Sequence, residues 1–209
     1  MALTIGIVGG KGGLGKSTEA LNLARELGGR IITNDKMSKL VYLAEENEIT
    51  ILEDIRFIDS DEVVIYDFGG YVDANMRDIV SRVDVVIYVT TSQKLAYAQL
   101  NEYIHDLLKL NKNAFILANR LGFKTRRIDG KMENKTECFN RELRLIEKEV
   151  GERFGLDVLP LKYSNKIDEA FEEGLSLNEL LEPYASKGAW KTELTQRENI
   201  MKRILKGLN

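Results

Sequence analysis

The chain has 209 residues, an ordinary apolar fraction and a formal net charge of −3. This length allows one α/β domain with a sizeable core, and the near-balanced charge excludes a disordered chain or a globally basic nucleic-acid coat, so any DNA contact has to come from a local patch. Cys138 is the only cysteine, which excludes an internal disulfide and a cysteine-based zinc site. No apolar run approaches the ~20 residues needed to span a bilayer, and no signal-peptide pattern opens the chain, so a reducing cytoplasm is expected.

In chain order, apolar runs predict strands at 3–8, 30–33, 63–66, 84–90, 114–118 and 157–159. Helical patterns alternate with them near 17–27, 38–46, 73–81, 93–110 and 136–154. After Pro160 shorter helices are expected near 166–173 and 176–184, with a final one near 191–206. There are two prolines, no Gly/Ser-rich linker and no internal repeat. This alternation predicts α/β class: one doubly wound domain over 1–209, with a mostly parallel sheet flanked by helices on both faces. Leu95, Ala96, Leu100, Tyr103, Ile104, Leu107 and Leu108 form an apolar stripe on the helix near 93–110, which core packing explains. The single histidine, His105, lies on the same helix and is expected at the surface.

Between the first strand and the first helix stands Gly9-Gly10-Lys11-Gly12-Gly13-Leu14-Gly15-Lys16-Ser17-Thr18. From Gly10 to Ser17 it matches G-x-x-x-x-G-K-[ST] completely, and strand, glycine-rich turn and helix is the context a phosphate-binding loop requires. Small residues let successive backbone N–H groups converge on phosphate oxygens, and the helix start adds its positive end. Lys16 reaches the β/γ-phosphates and the Ser17 hydroxyl ligates Mg²⁺ in such a loop. Lys11 is a second lysine inside the loop; binding one nucleotide does not need it, and a solvent-facing side chain is the alternative. Farther on, Val63–Asp67 is an apolar strand ending in a carboxylate, the pattern that holds Mg²⁺ through Asp67. Gly69-Gly70 follows as a mobile loop able to donate backbone N–H groups to phosphate.

Lys11-Gly12-Gly13-Leu14-Gly15-Lys16-Ser17-Thr18 resembles the deviant Walker A loop of the ParA/MinD family of P-loop ATPases. The resemblance extends through Ala20–Ala24 and the segment from Tyr163 to Leu180. It implies an ATP-bridged homodimer in which Lys11 of each subunit touches the other's nucleotide. It also implies catalysis by Lys16, Lys11 and Mg²⁺ neutralising charge on the phosphoryl group. The family carries Asp-x-Asp after its second strand, the second aspartate orienting the attacking water. Here an ungapped alignment of Ile31–Met37 puts Asp35 at the first position and Met37 at the second. Met37 cannot polarise water, so Asp35 is the candidate, an N-cap being its alternative. The family also implies an adenine site around Asn119-Arg120 and Pro160-Leu161; a helix cap for Asn119 and a plain turn at Pro160 are the alternatives.

Two basic regions complete the reading. Arg120, Lys124, Arg126, Arg127, Lys131 and Lys135 form one; Lys187, Lys191, Arg197, Lys202, Arg203 and Lys206 form the other. Each is either solvated surface or a salt-sensitive contact to a phosphate backbone. Residues 200–208 are basic and amphipathic, similar to the MinD membrane tail, but they are short and lack an aromatic anchor, so a closing helix of the domain is expected. The resemblance as a whole implies a weak, partner-stimulated ATPase using ATP and Mg²⁺. It would be a small plasmid-partition type that binds DNA non-specifically and works with a centromere-binding, ParB-like protein. A MinD-like membrane-associated ATPase and a P-loop small-molecule kinase or synthetase are the alternatives.

Overall fold

The computed structural model describes residues 2–35, 40, 43, 49–51, 55–70, 72–123, 125–128, 131–187 and 190–206. In chain order its first six strands are β1 (Leu3–Val8), β2 (Arg30–Thr33), β3 (Ile49–Ile51), β4 (Val63–Asp67), β5 (Val85–Thr90) and β6 (Ala114–Leu121). The short β7 (Arg127–Ile128) and β8 (Lys131–Met132) follow, and then β9 (Val158–Lys162). Seven of these form one sheet in the order β3-β2-β4-β1-β5-β6-β9, every neighbouring pair parallel. The central strands read as continuous apolar runs because both faces are covered, as parallel sheets require.

One face is covered by helices α1 (Lys16–Leu27), α5 (Asn165–Glu172), α6 (Leu177–Leu181) and α7 (Lys191–Lys206), packing on Leu3, Ile5, Ile7, Ile65 and Ile87. Helices α2 (Ala74–Arg82), α3 (Lys94–Leu110) and α4 (Lys135–Ile146) cover the other, on Val64, Tyr66, Val86, Tyr88 and Ile116. The expected doubly wound α/β architecture is therefore present.

Central β1 lies between β4 and β5, with Ile5 opposite Ile65 on one side and Val85 on the other. The chain leaves β1 toward β2 in one direction, whereas β4 leads on to β5 in the other. That reversal opens a crevice at the carboxyl ends of the strands, where open α/β sheets bind ligands.

Several features depart from the sequence expectation. The edge strand β3 is only three residues long and was not expected. Neither was the small antiparallel hairpin of β7 with β8. The helix expected over 136–154 begins at Lys135, behind a capping box of Asn134 and Glu137, and changes to a π-helical turn over Glu147–Glu152. That over 176–184 is α-helical only to Leu181 and tightens to 3₁₀ over Glu182–Lys187. The helix expected near 38–46 falls in a stretch of which only Leu40 and Leu43 are described. Leu95 is exposed at the start of α3, outside the buried stripe of Ala96, Leu100, Ile104 and Leu107, and His105 is at the surface as expected.

Pro160 is not a turn residue. It lies inside β9 opposite Ala118, on an edge strand, where a residue without an N–H is tolerated. Asn119 caps no helix either; it lies within β6. Near the end of α7, Ile200 and Ile204 are fully buried in the core, so this part of the 200–208 segment is committed to packing.

Candidate phosphate-binding site

The loop between β1 and α1 opens at the crevice. Gly15 precedes α1 in the left-handed region (φ 90°), and a Cβ there would lie 2.3 Å from Asn119 Nδ2. Only glycine meets both demands. The Asn119 amide in turn donates to the Leu14 carbonyl at 2.7 Å, so a β6 side chain pins the loop's far end. Gly15→Ala is expected to cost about 1 kcal/mol or more in backbone strain and to break the Asn119 contact. Its checks are a lower thermal midpoint and roughly tenfold weaker nucleotide binding by calorimetric titration, the scale of one lost hydrogen bond.

Lys16 is 7% exposed, and its Nζ donates to the Lys11 carbonyl at 3.1 Å. Burial holds its pKa below the ordinary lysine value, opposed by the charges of Asp67 and Asp35. The loop, Asp35, Arg120 and Phe171 line an open cavity of about 220 Å³, so Asp35 faces the same space as Lys16 and Ser17. Met37 lies outside the described residues. Lys11 turns elsewhere: its Nζ donates to Gln93 Oε1 at 2.8 Å, just before α3.

Asp67 ends β4, 1% exposed. Its Oδ2 accepts from the Ser17 hydroxyl at 2.7 Å and from Thr33 Oγ1 at 3.5 Å, while its buried Oδ1 has no hydrogen-bond partner. Burial pushes this carboxyl up to about 6, against the Ser17 hydrogen bond and the Lys16 charge, which pull it down. A carboxylate oxygen left unpaired in the interior, beside a serine hydroxyl, fits a divalent cation that completes its coordination with nucleotide and water oxygens. Among the described residues there is no group of three or more His, Cys, Asp or Glu side chains able to hold a metal by themselves. Ser17 and Asp67 are the pair that fits Mg²⁺ beside a nucleotide.

Of the four residues expected around the base, Asn119 and Arg120 line one cleft, and Pro160 and Leu161 do not. Leu161 is buried in the core. A cleft beside the loop is lined by Thr18, Asn119, Arg120, Tyr163, Ser164 and Asp168, so it begins three residues after Pro160. Arg120, in the left-handed region (φ 57°), donates to the Gly13 carbonyl at 3.4 Å and pairs with Asp168 at 3.3 Å. The cleft is narrow, about 10 Å³.

Sequence reasoning also missed Asn34, whose Oδ1 accepts from the Gly69 N–H at 2.8 Å. Gly70 meanwhile lies against the Lys11–Gly12 backbone. These contacts tie the glycine pair after β4 to both the β2 end and the phosphate loop. Only the β2–β4 pairing, with Thr33 opposite Asp67, puts Asn34 there, and no local motif carries that information.

Of the two basic regions, the C-terminal one spends its arginines on contacts within the chain. Arg197 is buried against Glu19 and Glu26, Lys202 pairs with Glu198, and Arg203 bonds Asp157, Asn113 and the Ala114 carbonyl. Lys191, Lys202 and Lys206 stay exposed on α7. Arg126, Arg127, Lys131 and Lys135 remain exposed around the hairpin; Lys124 lies outside the described residues.

No family model matches the chain, and no curated protein does. Solved structures do. An ATP complex of a McdA variant from Cyanothece aligns at TM-score 0.63 and 12% identity, covering 97% of this chain and 96% of that one. MinD from Pyrococcus horikoshii OT3, complexed with Mg-ADP, aligns at TM-score 0.57 and 15% identity, covering 86% and 89%. A plasmid partition protein from Borrelia burgdorferi aligns at 0.54 and 17%, covering 89% and 99%. With its phosphate loop intact and its sheet order running through a central β1, this chain has the fold of the ParA/MinD P-loop ATPases.

Proposed function

We propose that the chain is an ATP-dependent, dimerising positioning ATPase of the ParA/MinD type, acting as one domain over 1–209. The observation that carries this reading is the division of labour between the loop's two lysines. Lys16 is buried in the cradle beside Ser17 and Asp67, whereas Lys11 reaches outward to Gln93. A cation directed away from its own cradle suits a phosphate held by a second copy. Solved structures of this fold with ATP and with Mg-ADP support the nucleotide assignment.

Lys16 and the loop amides bind and orient the phosphates, and Ser17 and Asp67 would hold Mg²⁺, which would supply positive charge against the phosphoryl group. Asp35, on the wall of the phosphate cavity, is the carboxylate for the attacking water. Asn119 fixes the loop beside the base cleft, and Tyr163, Ser164 and Asp168 take the place assigned to Pro160 and Leu161. Turnover serves as a timer that releases the dimer.

Non-specific DNA is the matrix this reading favours, through Arg126, Arg127, Lys131 and Lys135, with a ParB-like centromere-binding protein as partner and a plasmid as cargo. The membrane reading loses ground because Ile200 and Ile204 are in the core. Among the described residues no helix is long and apolar enough to cross a membrane.

Lys11→Ala tests the proposal. ATP affinity is expected to stay within about threefold, a change of under 1 kcal/mol, while the ATP-dependent dimer disappears from light scattering. A Lys11→Ala chain that still dimerises with ATP refutes the shared site. Co-sedimentation with random-sequence DNA and with anionic liposomes, across a salt series, separates the two matrices; binding to DNA should need ATP and fade with salt.

A further inference from the structure

Helix α1, which presents the phosphate loop, carries four polar side chains toward the C-terminal segment. Asn22 Oδ1 accepts from the Leu177 N–H at 2.7 Å, and Arg25 pairs with Glu179 at 2.8 Å. Glu26 accepts from Asn178 Nδ2 and from Arg197 Nη2, both at 3.0 Å. Arg197 Nη1 also donates to both carboxylate oxygens of Glu19 at 2.6 Å. Arg197 is 1% exposed and Glu19 2%, so this is an ion pair removed from water.

The position of Glu19 gives the pair its significance. It lies in the first turn of α1, two residues past Ser17. The positive end of that helix is the element offered to phosphate. A buried carboxylate there, without a counter-charge, opposes an approaching polyanion with little solvent screening. The Arg197 guanidinium, bonded to both carboxylate oxygens, is the charge set against it.

We propose that Arg197 is a positioning residue for the nucleotide site: by neutralising Glu19 and gripping Glu26 from α7, it keeps the phosphate-facing end of α1 electropositive and in place. The inference rests on the ATP-binding reading above and deepens it. It makes the seating of the C-terminal helix a determinant of nucleotide affinity, through a helix that touches neither phosphate nor base.

The test measures ATP and ADP affinities by calorimetry for wild type, Arg197→Met, Glu19→Gln and the double variant, with circular dichroism to confirm folding. Arg197→Met is expected to weaken ATP binding about tenfold and ADP binding less, since ADP carries less charge. Adding Glu19→Gln is expected to return ATP affinity to within about threefold of wild type, because the unbalanced carboxylate nearest the phosphate end of α1 is gone, Glu26 lying two turns farther along. A merely structural strut predicts equal losses for ATP and ADP and no recovery in the double variant, and that result overturns the proposal. Should Arg197→Met fail to fold, Glu19→Gln alone decides, because it leaves Arg197 to Glu26 and should bind ATP at least as tightly as wild type. Weaker binding by Glu19→Gln overturns it. Wild-type protein that binds no ATP refutes the nucleotide reading itself; intact wild-type binding that a folded Arg197→Met leaves unchanged overturns only the role of Arg197.

Discussion

Lys16→Ala should abolish tight ATP binding while leaving the fold intact. The ammonium group is nearly buried and has a backbone carbonyl as its hydrogen-bond partner. Its burial already depresses its pKa, so the apo protein holds this charge at a cost that phosphate would relieve. Truncating one member of a buried charge pair costs about 3 kcal/mol, roughly a hundredfold in affinity. A second loss follows, because the Lys16 charge helps keep Asp67 ionised. Without it the carboxyl rises further and Mg²⁺ competes with a tighter proton. The apo variant should unfold at no lower temperature than wild type, since a desolvated charge has been removed. Calorimetric titration with ATP, with and without Mg²⁺, checks the first point and thermal unfolding the second. Affinity within threefold of wild type would sink the phosphate-loop assignment.

Asp67→Asn separates function from stability. The wild-type carboxyl has its folded pKa raised from 3.8 to about 6, chiefly by burial. For an acid shifted upward, the folded state binds more protons than the unfolded chain between those two values, so stability falls as pH rises through that window and levels off above it. The ionised carboxylate therefore costs the metal-free fold about 3 kcal/mol at neutral pH, of which about 1 kcal/mol is lost between pH 5 and 7.5. The amide that replaces it does not titrate. Urea unfolding at those two pH values should show a wild-type loss larger than the variant's by about that amount, other groups cancelling in the comparison. Mg²⁺-dependent ATP hydrolysis should drop roughly a hundredfold or more, because a Lewis acid contributes several kcal/mol. The substituted amide can still accept from Ser17, so the loop should survive. Equal pH slopes in the two proteins would show that Asp67 is not the buried, metal-seeking group its unpaired Oδ1 indicates.

Much of the molecule is legible locally. The phosphate loop is a contiguous pattern between a strand and a helix, and its backbone chemistry depends on neighbours a few residues apart. The alternation of apolar strands with amphipathic helices is local too, which is why β1, α1, β2 and α7 fall where periodicity puts them. The short strand β3 and the two-residue ladders of the hairpin are not, because such segments owe their conformation to pairing partners rather than to their own residues.

The sequence by itself determined the phosphate-loop pattern, the carboxylate after an apolar strand and the α/β alternation, because each is written in spacings that backbone geometry reads directly. Only the tertiary structure decided what surrounds them. Asn119 reaches Leu14 across 105 residues, Asn34 holds Gly69, the cleft beside the loop takes in Tyr163, and Arg197 is an internal counter-charge for Glu19, not a free cation. The physical reason is that strand order places the carboxyl ends of β1, β2, β4 and β6 along one crevice. The packing of α7 against β9 sets which charges water still reaches. Neither follows from residue type or from separation along the chain.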